Sequence, residues 1–148
     1  MRAANMISAR ALSKRELQKR LRDKGATERD AQDAAEWLED IGALDDLAYA
    51  KSIVRHYSDS GCGEAKLRDE LYRRGVAREL WDEALAEAPD ARETIARVIA
   101  ARTKGRALDE RERRRLCDLL LRRGFAWRDV REAMNAVGAE IEEEDGNT

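Results

Sequence analysis

Arg111, Arg113, Arg114, Arg115, Arg122 and Arg123 stand within thirteen residues of one another. The chemistry open to such a cluster is recognition. A guanidinium is a planar fork of donors that stays charged and grips carboxylates or phosphates. Groups able to break bonds are scarce by comparison. His56 is the single histidine, Cys62 and Cys117 are isolated thiols without a CxxC pair, and no Gly-rich phosphate loop or Ser/His/Asp set is written in the chain. Paired acids such as Asp45-Asp46 fall where a helix N-terminus wants a carboxylate. These residues point away from catalysis, a metal site or a cofactor, and toward a binding protein for a polyanion or an acidic partner. His56 and both cysteines read as structural, and free thiols suit a reducing cytoplasmic compartment.

The arginine cluster is part of something that recurs. Residues 116–124, LCDLLLRRG, echo LQKRLRDKG at 17–25 and LRDELYRRG at 67–75, the three copies being spaced by 50 and then 49 positions along the chain. Leu17 and Leu21 lie one turn apart on one helical face, as do Leu67 and Leu71, and Leu116 and Leu120. Gly25, Gly75 and Gly124 suit the left-handed residue that ends a helix, with basic residues before them on the negative end of the dipole. Ser13 and Glu16 form a capping box at the start of the first copy.

Each motif helix has neighbours. After the glycines, helices are predicted from Thr27 to about Ile41, around Trp81 to Ala88, and around Val130 to Val137. Before the second and third motif helices, Asp45 and Asp90 cap helices ending near Gly61 and Gly105. The stretch RAANMISAR supplies a shorter first helix. The expectation is therefore an all-α protein of nine helices, arranged as repeats at 1–44, 45–88 and 89–138, with an acidic disordered tail at 139–148. Units of this size bury little alone, so three tandem three-helix repeats should stack into an elongated, curved array. With charged residues at 41% and one proline, helix is the expected state throughout.

Charge follows the repeats. The motif helices 14–24, 64–74 and 110–123 carry +4, +1 and +3, and the helices 28–41, 78–87 and 128–137 carry −5, −3 and 0. Stacked, they give a basic and an acidic ridge, which either neutralise each other in solvent or present a partner surface. Residues 91–138 are the basic third at +6, whereas the last ten residues hold five acids. On this reading Lys14, Arg15, Lys19, Arg22 and Lys24 share the basic ridge with the arginine cluster. A helix-turn-helix reader of DNA is the obvious rival. Its second helix would be ERDAQDAAEWLEDI, with six acids and one base, which phosphate would repel. Trp81 aligns with Ala31 and Val130 and reads as core. Trp127 aligns with Glu28 and Arg78, so it is either an exposed anchor among arginines or a cover for Cys117, Leu119 and Leu121.

Laid out in this order, ARALSKRELQKRL, AAEWLEDIGALDDLAYA, GCGEAKLRDELYRRGVARE and LLLRRGFAWRDVREAM make the chain resemble the RecX family of bacterial recombination regulators. The resemblance runs from about residue 9 to 134. It implies an all-helical modulator of RecA acting in DNA recombination, repair and the SOS response. Such a protein lies across neighbouring subunits of the RecA filament on single-stranded DNA and inhibits filament extension, ATP hydrolysis and strand exchange. It implies no cofactor and no catalysis. The partners expected are the RecA filament and single-stranded DNA through phosphate contacts, with no membrane, for a monomer in the cytoplasm. One segment departs from the family. The loop HYSDSGCGE carries Asp59, Cys62 and Glu64 where relatives are basic and aromatic, so Arg55, Lys66 and Arg68 would have to substitute. Trp127 and the third-repeat arginines would then carry most of the contact. The alternatives are a sequence-independent nucleic-acid-binding helical module and a helical adaptor for an unrelated protein.

Overall fold

The computed structural model describes residues 12–146, with side chains to Gly138. Eight α-helices account for the order among these residues: α1 Lys14–Asp23, α2 Glu28–Asp40, α3 Asp46–Asp59, α4 Glu64–Arg73, α5 Trp81–Leu85, α6 Ala91–Thr103, α7 Glu110–Arg122 and α8 Trp127–Gly146. The helix expected over RAANMISAR lies outside the described residues. Two bounds differ from the sequence expectation. The helix around Trp81 begins as a 3-10 turn, Arg78–Leu80, because Ala77 at its head has no side chain that can cap an α-helical turn. The last helix does not stop at Gly138 but continues to Gly146. A glycine there is only a weak break, since it has no following left-handed turn to enter.

The repeated motif is the same physical device each time. All six of its leucines are buried, between 0% and 8% exposed. Gly25, Gly75 and Gly124 have φ of 105°, 75° and 93°. The N–H of the following residue, Ala26, Val76 or Phe125, returns to the carbonyl of Leu21, Leu71 or Leu120 at 3.0–3.2 Å. The glycine N–H bonds to the third residue before it. These are three Schellman closures. A buried leucine contributes about 2 kcal/mol. Exposed pairs such as Arg73–Asp69 contribute below about 1 kcal/mol, so the leucines and not the charges hold the motif in place.

The chain gathers into two compact units, and the division falls within α3 and α4. One unit takes residues up to Val54 together with Arg68–Glu87, and the other takes Arg55–Leu67 with residues from Ala88 onward. Leu17, Leu21, Ala31, Ala35, Leu38 and Leu44 form a core in the first. Ile95, Ile99, Leu116, Leu120, Val130 and Met134 form one in the second. Each unit contains one junction between repeats, built at equivalent positions of the motif. In the first, the Ser13 hydroxyl at the head of α1 donates to the carbonyl of Arg74, at the end of α4. Ser13 also completes its capping box with Glu16. In the second, the Gly63 N–H at the head of α4 donates to the carbonyl of Arg123, at the end of α7, at 2.8 Å, and Ala65 N–H reaches Gly124 O at 3.2 Å. In the second junction backbone donors at one helix start thus meet free carbonyls at the end of another, and in the first the hydroxyl of the capping serine takes that place.

The two junctions differ in depth. A Cβ on Gly63 would lie 2.6 Å from the backbone of Gly124 and Phe125, so no side chain fits there. Ser13 stands off by one hydroxyl and leaves room for polar neighbours. Arg74 Nη1 donates to the Tyr49 hydroxyl at 3.0 Å, and its Nε reaches the buried Glu70 carboxylate at 3.3 Å. Burial raises the Tyr49 hydroxyl above its ordinary pKa. Beside it, Asp46 accepts the Lys14 backbone N–H at 2.8 Å. Burial dominates and raises the Asp46 carboxyl above 3.8, with Glu39 and Asp45 adding to the rise.

Two tests follow from this packing. Gly25→Ala has open space and only an unfavourable φ, so urea denaturation should show a loss of about 1–2 kcal/mol. Gly63→Ala must displace another backbone and should cost about 3 kcal/mol or more, through overpacking and lost hydrogen bonds. For Asp46, a folded pKa above the unfolded 3.8 means the folded state holds a proton longer. Stability from this group is therefore lost as pH rises through that window. Asp46→Asn keeps the acceptor for Lys14 and should raise Tm at neutral pH, and the gain should vanish below the ordinary carboxylate range.

Candidate functional site

The arginine cluster lies on α7, in the second unit. Asp109 caps this helix by accepting the Glu112 N–H at 2.7 Å, and Leu116 and Leu120 point into the core. Helical spacing then fixes the other positions. Arg111, Arg114, Arg115 and Arg122 face solvent. Arg111 and Arg115 make no ion pair among the described residues, and Arg114 pairs only with Glu110 across an exposed turn at 3.2 Å. Arg122 turns back to the Asp118 carbonyl at 3.4 Å.

Arg113 and Arg123 are drawn into the fold. Arg113 donates to the Met134 carbonyl at 3.2 Å, and its guanidinium lies where a Cβ on Gly138 would be 2.8 Å away. Arg123 gives its carbonyl to Gly63 and lays its guanidinium against Gly61. Of six clustered arginines, four are presented and two are used in packing.

Two clefts flank α7. One, of about 930 Å³, is lined by Arg102, Arg106, Arg115 and Arg122 together with Glu112 and Asp118, with Leu119 and Leu121 among its apolar residues. The other, of about 670 Å³, is lined by Trp127, Leu121, Cys117, Arg114 and Arg131. Trp127 is 57% exposed, so it is an exposed ring at the cleft edge more than a cover for its neighbours. Burial and the adjacent Asp118 push the Cys117 thiol up, which keeps it protonated and unreactive near neutrality. Arg102, Arg106 and Arg131 were not singled out by sequence. Lys104 (φ 49°) and Gly105 (φ 78°) are two successive left-handed residues, and they turn the chain so that Arg106 lines the same cleft as Arg102. The Lys-Gly pair after a helix was the available signal.

The other basic candidates divide similarly. In the first unit Lys19, Arg22 and Lys24 are exposed and make no ion pair among the described residues. Lys14 pairs with Glu39 at 3.4 Å, joining the basic helix α1 to the acidic α2. Arg15 lays its stem over Gly75. In the second unit the Lys66 ammonium sits 5.9 Å from the Tyr57 ring centre. Arg68, in the first, is half-buried and engaged. Among the described residues no group of three His, Cys, Asp or Glu could hold a metal ion, and no helix is long and apolar enough to cross a membrane.

Residues 45–85 match a family pattern described as RecX, second three-helix domain. A regulatory protein RecX of Vibrio campbellii is 35% identical over 135 residues, spanning 90% of this chain and 87% of that protein. The chain belongs to the RecX family. A regulatory protein RecX of Chromohalobacter salexigens is likewise 35% identical over 133 residues, covering 89% and 88%. The crystal structure of RecX from Lactobacillus salivarius superposes with a TM-score of 0.77 at 20% identity, over 93% of this chain and 92% of that one. The fold is therefore the RecX fold, an all-helical repeat. These relatives are named regulatory proteins. The RecX pattern at 45–85 includes Gly61 and Gly63, the segment whose second glycine admits the Gly124 turn.

The division between packed and presented arginines has a thermodynamic signature. Arg113→Ala should lose about 1 kcal/mol through the freed Met134 carbonyl. Arg115→Ala should stay within about 0.5 kcal/mol of the parent protein. Urea titration of both variants checks the assignment.

Proposed function

We propose that this RecX-family chain binds the RecA filament on single-stranded DNA across neighbouring subunits and inhibits its extension, ATP hydrolysis and strand exchange. The observation that carries the reading is the presented arginine face of α7. Arg111, Arg115 and Arg122 are exposed on one side of a single helix, and Arg102 and Arg106 extend the charge along the adjacent cleft. A rigid helix holding unpaired guanidinium groups beside apolar side chains suits an acidic protein surface, with phosphates of the DNA as further contacts. Lys19, Arg22 and Lys24 on α1 offer a second basic set of the same kind. Trp127, exposed at the other cleft, is the aromatic anchor of the contact.

The second reading, a sequence-independent nucleic-acid binder, draws on the same unpaired arginines. The two separate by stoichiometry. The test is the single-stranded-DNA-dependent ATPase of RecA with this protein added well below one copy per RecA subunit. A filament regulator should abolish most of the activity at that ratio, whereas a DNA competitor must coat the strand. Arg115→Glu with Arg122→Glu should weaken the inhibition about tenfold or more, equivalent to at least about 1.4 kcal/mol. Full activity at substoichiometric ratios, alongside tight salt-dependent DNA binding without RecA, would select the second reading.

A further inference from the structure

The first unit carries an exposed apolar pair that the proposed role leaves unused. Trp37 and Ile41 stand one turn apart at the C-terminal end of α2, 59% and 56% exposed. Ala31, Ala35 and Leu38 take the core side of this helix, which turns Trp37 outward. The same spacing puts Asp30, Asp33 and Asp40 on the outward side. All three are exposed and make no ion pair among the described residues. An aromatic ring more than half in water, next to an aliphatic side chain and ringed by unpaired charge, has the make-up of a protein-binding anchor.

A surface of matching chemistry exists on the same polypeptide. The cleft of about 930 Å³ beside α7 is lined by Leu119 and Leu121 and by Arg102, Arg106, Arg115 and Arg122, whose guanidiniums outnumber the two carboxylates there, Glu112 and Asp118. Leu121 is itself an exposed large apolar residue. The pairing matches apolar residues to apolar residues and the α2 carboxylates to the cleft's excess of guanidiniums.

We propose that the α2 face of one copy seats in the arginine cleft of a second copy, so that the protein self-associates through unlike surfaces. Trp37 and Ile41 cover Leu119 and Leu121, while Asp30, Asp33 and Asp40 meet the guanidiniums. The contact replaces the monomer expected from sequence. Exposed ion pairs alone would be too weak to hold two copies together. The apolar centre excludes water from the charges around it and gives them their effect. Because each contact is heterologous, a copy that has used one face still has the other to offer. The contact also covers the arginines assigned above to the filament, so self-association withholds them from that partner. That consequence rests on the proposed function, whereas self-association does not.

Sedimentation velocity of the full chain, without RecA or DNA, tests it over a wide concentration series at low and high salt. The sedimentation coefficient should rise with concentration at low salt and stay flat at high salt. Asp33→Arg with Asp40→Arg should sediment as a monomer throughout, and so should Arg115→Glu with Arg122→Glu. Both variants should keep the parent circular dichroism spectrum, since the altered side chains are exposed. An equal mixture of the two should associate again, because each altered face matches one on the other variant. A parent protein that stays monomeric at every concentration, association that survives either reversal, or a mixture that stays monomeric overturns the proposal. None of those outcomes bears on inhibition of the RecA ATPase.

Discussion

A helix has four N–H groups at its start and four carbonyls at its end with no partner of their own. In this protein the ends of separate repeats satisfy one another. The carbonyl before each of the last two motif glycines receives the cap of the preceding motif helix, Arg74 from Ser13 and Arg123 from Gly63. The contact also opposes a negative helix end to a positive one, so the dipoles favour it. Since the donors belong to buried residues, Ser13 and Gly63, separating the ends would leave them unpaired away from water, which costs more than the bond contributes. This explains why the compact units cut across the repeats. A unit is organised around a junction, and the middle repeat contributes to both.

That constraint sorts the charges. Residues next to a junction or to a neighbouring helix are committed to packing, whatever their formal charge. Arg74 ties Tyr49 and Glu70, Arg113 ties α8, and Arg123 lies on Gly61. The side chains left over on the far face of α7 point to solvent, and the core beneath fixes their spacing. Packed and presented arginines thus stand on different sides of one helix.

Much of this could be read in the chain. The Leu-x-x-x-Leu-x-x-basic-Gly motif specified three helix ends, and the structure closes all three in the same way, because period and left-handed glycine are local properties. Trp81 in the core followed from comparing repeats, whereas the comparison left Trp127 open between anchor and cover and only its exposure decides it. The split among the arginines did not, because it depends on which face of α7 meets α8. Arg102 and Arg106 were missed because a two-residue reversal at Lys104-Gly105 brings together side chains that a linear charge count treats separately. The role of Gly63 was hidden too. Its φ is ordinary, and only the approach of the distant Gly124–Phe125 backbone makes a side chain impossible there.

That long separation has a consequence for a chain made from its N-terminus. The cap at Ser13 waits for Arg74, so the first unit has all its residues once Glu87 has been joined. The start of α4 has no such prospect until Arg123 and Gly124 exist. For the whole interval its leading amides must be served by water, and the second junction can be no earlier than nearly the last residue of the motif that closes it. Assembly of the repeats is in this sense clocked by translation, from the first junction to the second, with each new glycine turn closing the helix begun one repeat before.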